Sequence, residues 1–188
     1  MAPQVSVTIV DHLKQVSKAI TTLADTRVMV GVPAQKTDRG QPITNAALAY
    51  IHEHGAPAAN IPARPFMRPT IKARENEIAA RLKRAASFAW AGNSGAVERE
   101  LSRMGMETRD AIKMRIRSDI PPPLAMRTVM GRIYRRKSKT WRKKRIKEVH
   151  QNIAAGVPPQ TGIFTALIDT AQMINSITYV LRKIGGNK

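Results

Sequence analysis

Between Met126 and Lys147 the chain carries eleven lysines and arginines and not one acid: Arg127, Arg132, Arg135, Arg136, Lys137, Lys139, Arg142, Lys143, Lys144, Arg145 and Lys147. Like charges this dense repel one another until they meet phosphate or carboxylate. The run holds more than half of the chain's net charge of +19, so the excess is local and implies an anionic partner without saying which. It also constrains the fold: residues 126–162 read as a basic arm or insertion. Residues 1–125 then form the N-terminal part of a single α+β domain, and 163–188 supply a helix and strand completing it. A chain of 188 residues has room for one domain of ordinary size.

The core of that domain must be built from small and aliphatic side chains. Hydrophobic residues make up 43% of the chain but aromatic ones only 4%, which is thin for the length and points to burial completed by neighbouring subunits. Met104, Met106, Met114, Met126 and Met130 read as adaptable packing or contact residues. The absence of cysteine excludes disulfides and thiolate catalysis and fits a reducing compartment. No apolar run approaches the roughly 20 residues that cross a bilayer, so no membrane partner is expected. The first residues lack a charged segment followed by an apolar one, so no secretion signal is expected either.

Val5, Val7 and Ile9 alternate and predict a short strand. Ile9, Leu13, Val16, Ile20 and Leu23 recur at helical spacing and predict an amphipathic helix over 10–24. Val28, Val30 and Val32 predict a strand over 27–32 that ends at Pro33, followed by a polar loop from Gln35 to Pro42. Thr44 can cap a short helix that Gly55 closes. Pro57, Pro62, Pro65 and Pro69 keep the following stretch extended and stiff. Pro69 suits the first turn of a helix over 68–91, marked by Ile71, Ile78, Leu82 and Ala89, and a second helix covers 95–118 until Pro121-Pro122-Pro123 stops it. A loop with Gly156, Pro158, Pro159 and Gly162 follows. Asp169 or Thr170 then caps a short helix, and Ile177–Leu181 forms a closing strand. The expected fold is α+β: a small mixed or antiparallel sheet flanked by amphipathic helices, with the basic arm protruding.

Two segments in order carry a resemblance. The first runs through Val30-Gly31-Val32-Pro33, Ile51-His52-Glu53-His54-Gly55 and Ile61-Pro62-Ala63-Arg64-Pro65-Phe66; the second is Leu167-Ile168-Asp169-Thr170 with Asn175-Ser176-Ile177. Together they resemble the tail-completion or neck proteins of long-tailed bacteriophages, the family that includes the minor tail protein Z of phage lambda. The matching positions include Gly31, Pro33, Glu53, Gly55, Pro62, Arg64, Pro65, Phe66, Asp169 and Thr170. One departure is Ala171, where the family has glycine after Asp-Thr; if that position requires φ > 0, alanine is strained there. The resemblance implies a virion protein of the tail and neck region, assembled in the host cytoplasm. It would form a homo-oligomeric ring, expected to be hexameric, and meet the tail terminator, tail tube and head-closure proteins. It implies tail finishing and head–tail joining, with no enzymatic chemistry and no cofactor.

Read physically, Arg64 offers a fork that can pair with the carboxylate of Glu53, either within one subunit or between two. His52 and His54 invite a metal reading, but residues two apart on a helix diverge and no third ligand has supporting spacing. His12 and His150 stand without a partnered acid or nucleophile. No phosphate loop, nucleophile elbow or paired acidic motif is present, so neither a catalytic nor a metal site is expected. In the basic segment, Arg132, Arg135, Arg136, Lys137, Lys139, Arg142, Lys143, Lys144 and Arg145 are candidates for an anionic partner, with Tyr134 and Trp141 able to stack on bases or arginine planes. Acidic faces of neighbouring virion proteins, the end of packaged DNA and plain solvent remain open as what the segment faces. The alternative function is a free basic nucleic-acid-binding protein, although no helix-turn-helix, zinc-finger or ribonucleoprotein pattern is present.

Overall fold

The alternation of Val28 and Val30 with Arg27 and Met29 does form a strand. In the computed structural model, which describes residues 4–34 and 43–184, β1 (Thr26–Gly31) pairs antiparallel with β2 (Thr178–Lys183), Met29 facing Val180 and Gly31 facing Thr178. Eight α-helices accompany this two-stranded sheet among the described residues, so the fold is α+β. The loop expected over Gln35–Pro42 lies outside the described residues.

The first strand expected from Val5, Val7 and Ile9 is instead the opening of a helix, α1 (Gln4–Asp25). Three alternating residues satisfy a strand period, yet Val5, Ile9 and Leu13 also stand four apart, and the longer helical pattern wins. The helix expected over 68–91 divides into α3 (Arg68–Ala73) and α4 (Glu75–Trp90) at Arg74. Arg74 leaves helical geometry at φ −104, ψ 12, and its amide donates to the carbonyls of both Thr70 and Ile71. The chain resumes with α5 (Ser94–Arg117).

The chain folds as two compact units, a division different from the expected boundaries at 125 and 162. The first contains residues 1–31, 70–111 and 178–188, and the second 32–69 and 112–177. In the first, Ala19 of α1, Ala85 and Ala89 of α4, and Val97, Leu101 and Met104 of α5 form the buried centre, joined by Leu23, Val28, Ile78 and Leu181. Alanines at the α1–α4 crossing leave little volume between the helices. The larger residues expected on that face are pushed to its flank: Leu13 is 61% and Leu82 42% exposed. Gly105 has the same role under the sheet. A Cβ there would lie 2.5 Å from a ring carbon of Tyr179 and 3.0 Å from a Val28 methyl.

The second unit holds α2 (Asn45–His54), a 3₁₀ turn (Pro57–Ala59), α6 (Met126–Tyr134), α7 (Lys139–Ala154) and α8 (Gln172–Ser176), together with the last turns of α5. Thr44 caps α2 through its side-chain oxygen, which accepts from the Ala47 amide at 3.1 Å, and Gly55 closes the helix at φ 78. The segment expected as a protruding arm is mostly helical and has its own core. Leu124, Val129, Ile133, Val149 and Ala166 are buried, with Met130, Trp141, Ile146, Ile163 and Phe164 against them. The physical reason is periodicity concealed by charge: Trp141, Ile146 and Val149 place an apolar stripe on α7 while the lysines take the other face.

Candidate functional site

The proline-rich stretch and the end of α2 meet through one carboxylate. Oε2 of Glu53 accepts from the amides of Phe66 at 2.8 Å and Met67 at 2.9 Å, and Oε1 from Arg68 at 2.9 Å. Pro62 and Pro65 lack amide hydrogens and keep the approach extended, so the next three amides arrive as a row of donors without helical partners. Glu53 satisfies that row and Phe66 beside it is fully buried.

The pair expected between Glu53 and Arg64 within one subunit does not form. Arg64 turns away and donates from Nε to the carbonyl of Pro122 at 2.8 Å and from a terminal nitrogen to that of Pro123 at 3.0 Å. Three consecutive prolines supply acceptors but no donors, so the backbone oxygens of this turn need a donor from elsewhere. Burial lowers the pKa of Arg64, opposed by the charge of Asp119.

Arg132 serves the late motif in the same way. Its terminal nitrogens donate to the carbonyls of Thr165, Ile168 and Ala166 at 3.0, 3.0 and 3.1 Å, and Nε lies 3.7 Å from Asp169. Burial lowers its pKa, Asp169 raises it, and the cations Arg135 and Arg64 lower it further. Asp169 also accepts from Arg135 at 2.7 Å. Neither Asp169 nor Thr170 caps α8, contrary to expectation. The cap position is Ala171, at φ 60, with no side-chain hydrogen bond to the helix, while the Thr170 hydroxyl donates to the Gln172 side chain at 3.4 Å. The alanine that stands where the resembling proteins have glycine thus falls on a left-handed residue.

Two residues that sequence reasoning missed complete the arrangement. Asp119 accepts from the Ala166 amide at 2.9 Å and from the side chain of Gln160 at 3.3 Å, and Gln160 in turn accepts from the Leu124 amide at 3.2 Å. Their signal is the prolines around them: residues 121–123 and 158–159 remove five donors from two facing turns, so polar side chains must supply the missing bonds.

The early and late motif segments therefore come together. α2 packs against α8, and Gly55, Pro62, Arg64, Arg132 and Ala166 line one open groove of about 1000 Å³. Gly31 ends β1 in the first unit, opposite Thr178, and Pro33 follows it at an exposed position of the second.

The ten residues expected to face an anionic partner separate into two groups. Arg132, Arg135 and Arg145 have internal partners, the last meeting Glu148 at 2.5 Å. Trp141 packs on Phe164 with ring centroids 6.4 Å apart, and Arg136 and Arg145 lie over its faces at 5.9 and 5.5 Å. It is thereby withdrawn from base stacking. Lys137, Lys139, Lys143 and Lys144 are exposed and Arg142 is half-buried. Among the described residues no cluster of three His, Asp or Glu side chains is arranged to hold a metal ion, and His54 stacks on Tyr50 at 4.2 Å. No helix of the described residues is long and apolar enough to cross a membrane. Comparison with protein-family models, with curated proteins and with solved structures yields no significant match for this chain.

Proposed function

We propose that this chain is a structural subunit of a long-tailed phage particle, forming a ring that completes the tail and joins it to the head. The observation that carries the reading is the convergence of the two motif segments. Residues 45–66 and 165–173, distant in the chain, meet where α2 packs on α8 and line one groove. Glu53 braces the early segment on its own amides, Arg64 fixes it to the turn at 121–123, and Arg132 holds the late segment to α6. A second point in its favour is Ala171, whose left-handed backbone explains why the resembling proteins have glycine there. On this reading the motif residues hold shape and make or break no covalent bond. The ring, hexameric in the proposal, docks on the tail terminator, tail tube and head-closure proteins in the virion neck after assembly in the host cytoplasm.

Light scattering of the purified chain, with and without purified phage tail tubes, tests this reading. The expected result is a discrete oligomer, alone or on addition of tubes, and extra density capping one tube end in electron micrographs. A chain that stays monomeric at every concentration and leaves the tubes bare would refute it.

A further inference from the structure

We infer that the outward face of α7 binds the phosphodiester backbone of nucleic acid, independently of base sequence and whether or not the chain builds a ring. With 100° of turn per residue, Lys139, Lys143, Lys147 and Lys144 fall within an arc of about 140°. All four are exposed, and the same side carries His150 and Gln151. The row from Lys139 to Lys147 rises about 12 Å along the helix, a length over which duplex DNA presents roughly seven charges. Lys143 and Lys147 edge a shallow trough with Ile146, His150, Gln151 and Ala154. Lys137 extends the positive surface just ahead of the helix.

Among the described residues of this unit, every carboxylate already has a partner. The second unit holds 18 of the 32 cations but only five of the 13 acids, and the four described acids are all engaged within the fold. Glu53 holds three amides, Asp119 holds Ala166, Glu148 meets Arg145, and Asp169 meets Arg135. The guanidinium groups of Arg64, Arg132, Arg135 and Arg145 are bonded within the fold, while the outward row of α7 is made of ammonium groups. A compact, strongly hydrated ammonium suits a continuous polyanion better than paired protein carboxylates. Trp141 is packed inward, leaving the face without an aromatic to stack on bases, so contact with backbone rather than base edges follows.

The test measures binding of the full chain to a 30-base-pair duplex of arbitrary sequence across a salt series. Two variants carry the same net charge. One replaces Lys139, Lys143, Lys144 and Lys147 with glutamine; the other replaces the exposed Lys14, Lys18, Lys72 and Lys83 of the first unit. Circular dichroism confirms that each retains its helix content. The α7 variant should bind about 10- to 100-fold more weakly at moderate salt, its log–log salt slope shallower by about 3 to 4, since each lost phosphate contact removes about 0.9. The first-unit variant should keep most of the wild-type slope, and changing the duplex sequence should change neither. Equal losses in both variants would reduce the effect to net charge and overturn the assignment. So would no binding by the wild-type chain at low salt, or equally tight binding to polyglutamate of matched charge, which would point to an acidic protein surface.

Discussion

In the first unit Arg81 meets carboxylates across two helices, whereas in the second the buried Arg64 and Arg132 meet the backbone oxygens of turns that no helix or strand satisfies. Arg81 of α4 reaches both Glu100 and Glu107 of α5, and Arg84 and Arg103 also approach Glu100. Those hydrogen bonds raise the pKa of Arg81. In the second unit Arg64 and Arg132 spend their donors on five carbonyls between them, and burial lowers both pKa values. The difference follows from architecture. Long helices satisfy their own backbone, so the charges between them are an addition to it rather than a repair of it. A unit with three prolines at 121–123 and two at 158–159, in turns outside its helices, must recruit side chains to complete its backbone bonding. Ion pairs near solvent contribute roughly 0–1 kcal/mol, while a buried polar group left without its partner costs about 1–3 kcal/mol. The first unit should therefore depend on its alanine-rich packing and the second on its buried polar groups.

Replacing Glu53 with alanine is the strongest attempt to break this contrast. It strands the amides of Phe66, Met67 and Arg68, and after partial rescue by water the expected loss is about 4 kcal/mol. For a chain of this length that lowers Tm by about 10 °C, measurable by calorimetry. A loss under about 1 kcal/mol would mean that the carboxylate does not organise the proline-rich stretch.

Gly105→Ala probes the opposite dependence. The added methyl meets the Tyr179 ring and Val28 in the first unit, and overpacking of this kind costs about 2 kcal/mol. A smaller residue at position 179 should restore much of that loss, because the clash is with its ring. If Gly105→Ala and Tyr179→Ser instead destabilise additively, the helix and sheet are not in the close contact described.

Arg81→Met should cost less than either, because Arg84 and Arg103 stay beside the buried Glu100. Its cost should shrink as salt rises, since the more exposed pair with Glu107 is screened over about 10 Å at 0.1 M and about 3 Å at 1 M. Thermal unfolding in low and high salt measures both effects. A salt-independent loss as large as that of Glu53→Ala would erase the distinction between the units.

Where periodicity or a terminator decides structure, the residues announce it. Thr44 and Gly55 bound α2 as their chemistry requires, and Val28 and Val30 mark β1. Where two patterns overlap, they do not: Val5, Val7 and Ile9 fit a strand over three residues and a helix over nine. On α7 the cations outnumber the apolar residues, so the stripe through Trp141, Ile146 and Val149 is hard to see beneath them. The importance of Glu53 and Arg64 was visible in the chain, but their partners were not, because those partners are backbone amides and carbonyls present at every residue. Side-chain chemistry suggested that the two would pair with each other. The unmet bonds of the proline turns drew them apart, and only the folded arrangement reveals which turns face which side chain.

The smallest expected change has the opposite sign. Ala171 sits at φ 60 ahead of α8, a conformation that costs an L-residue with a Cβ about 1–2 kcal/mol. Glycine removes that strain but gives the unfolded chain more freedom, which returns about 0.5–1 kcal/mol. The balance predicts that Ala171→Gly stabilises the chain by about 0.5 kcal/mol, read as a raised urea midpoint at unchanged slope. Ala171 should therefore behave as a weak point in a unit whose turns are braced by polar side chains, tolerated because Arg132 and Asp169 fix the turn just before it. If glycine lowers the midpoint, the left-handed turn is not a source of strain, and the match to a glycine in the resembling phage proteins loses its physical basis.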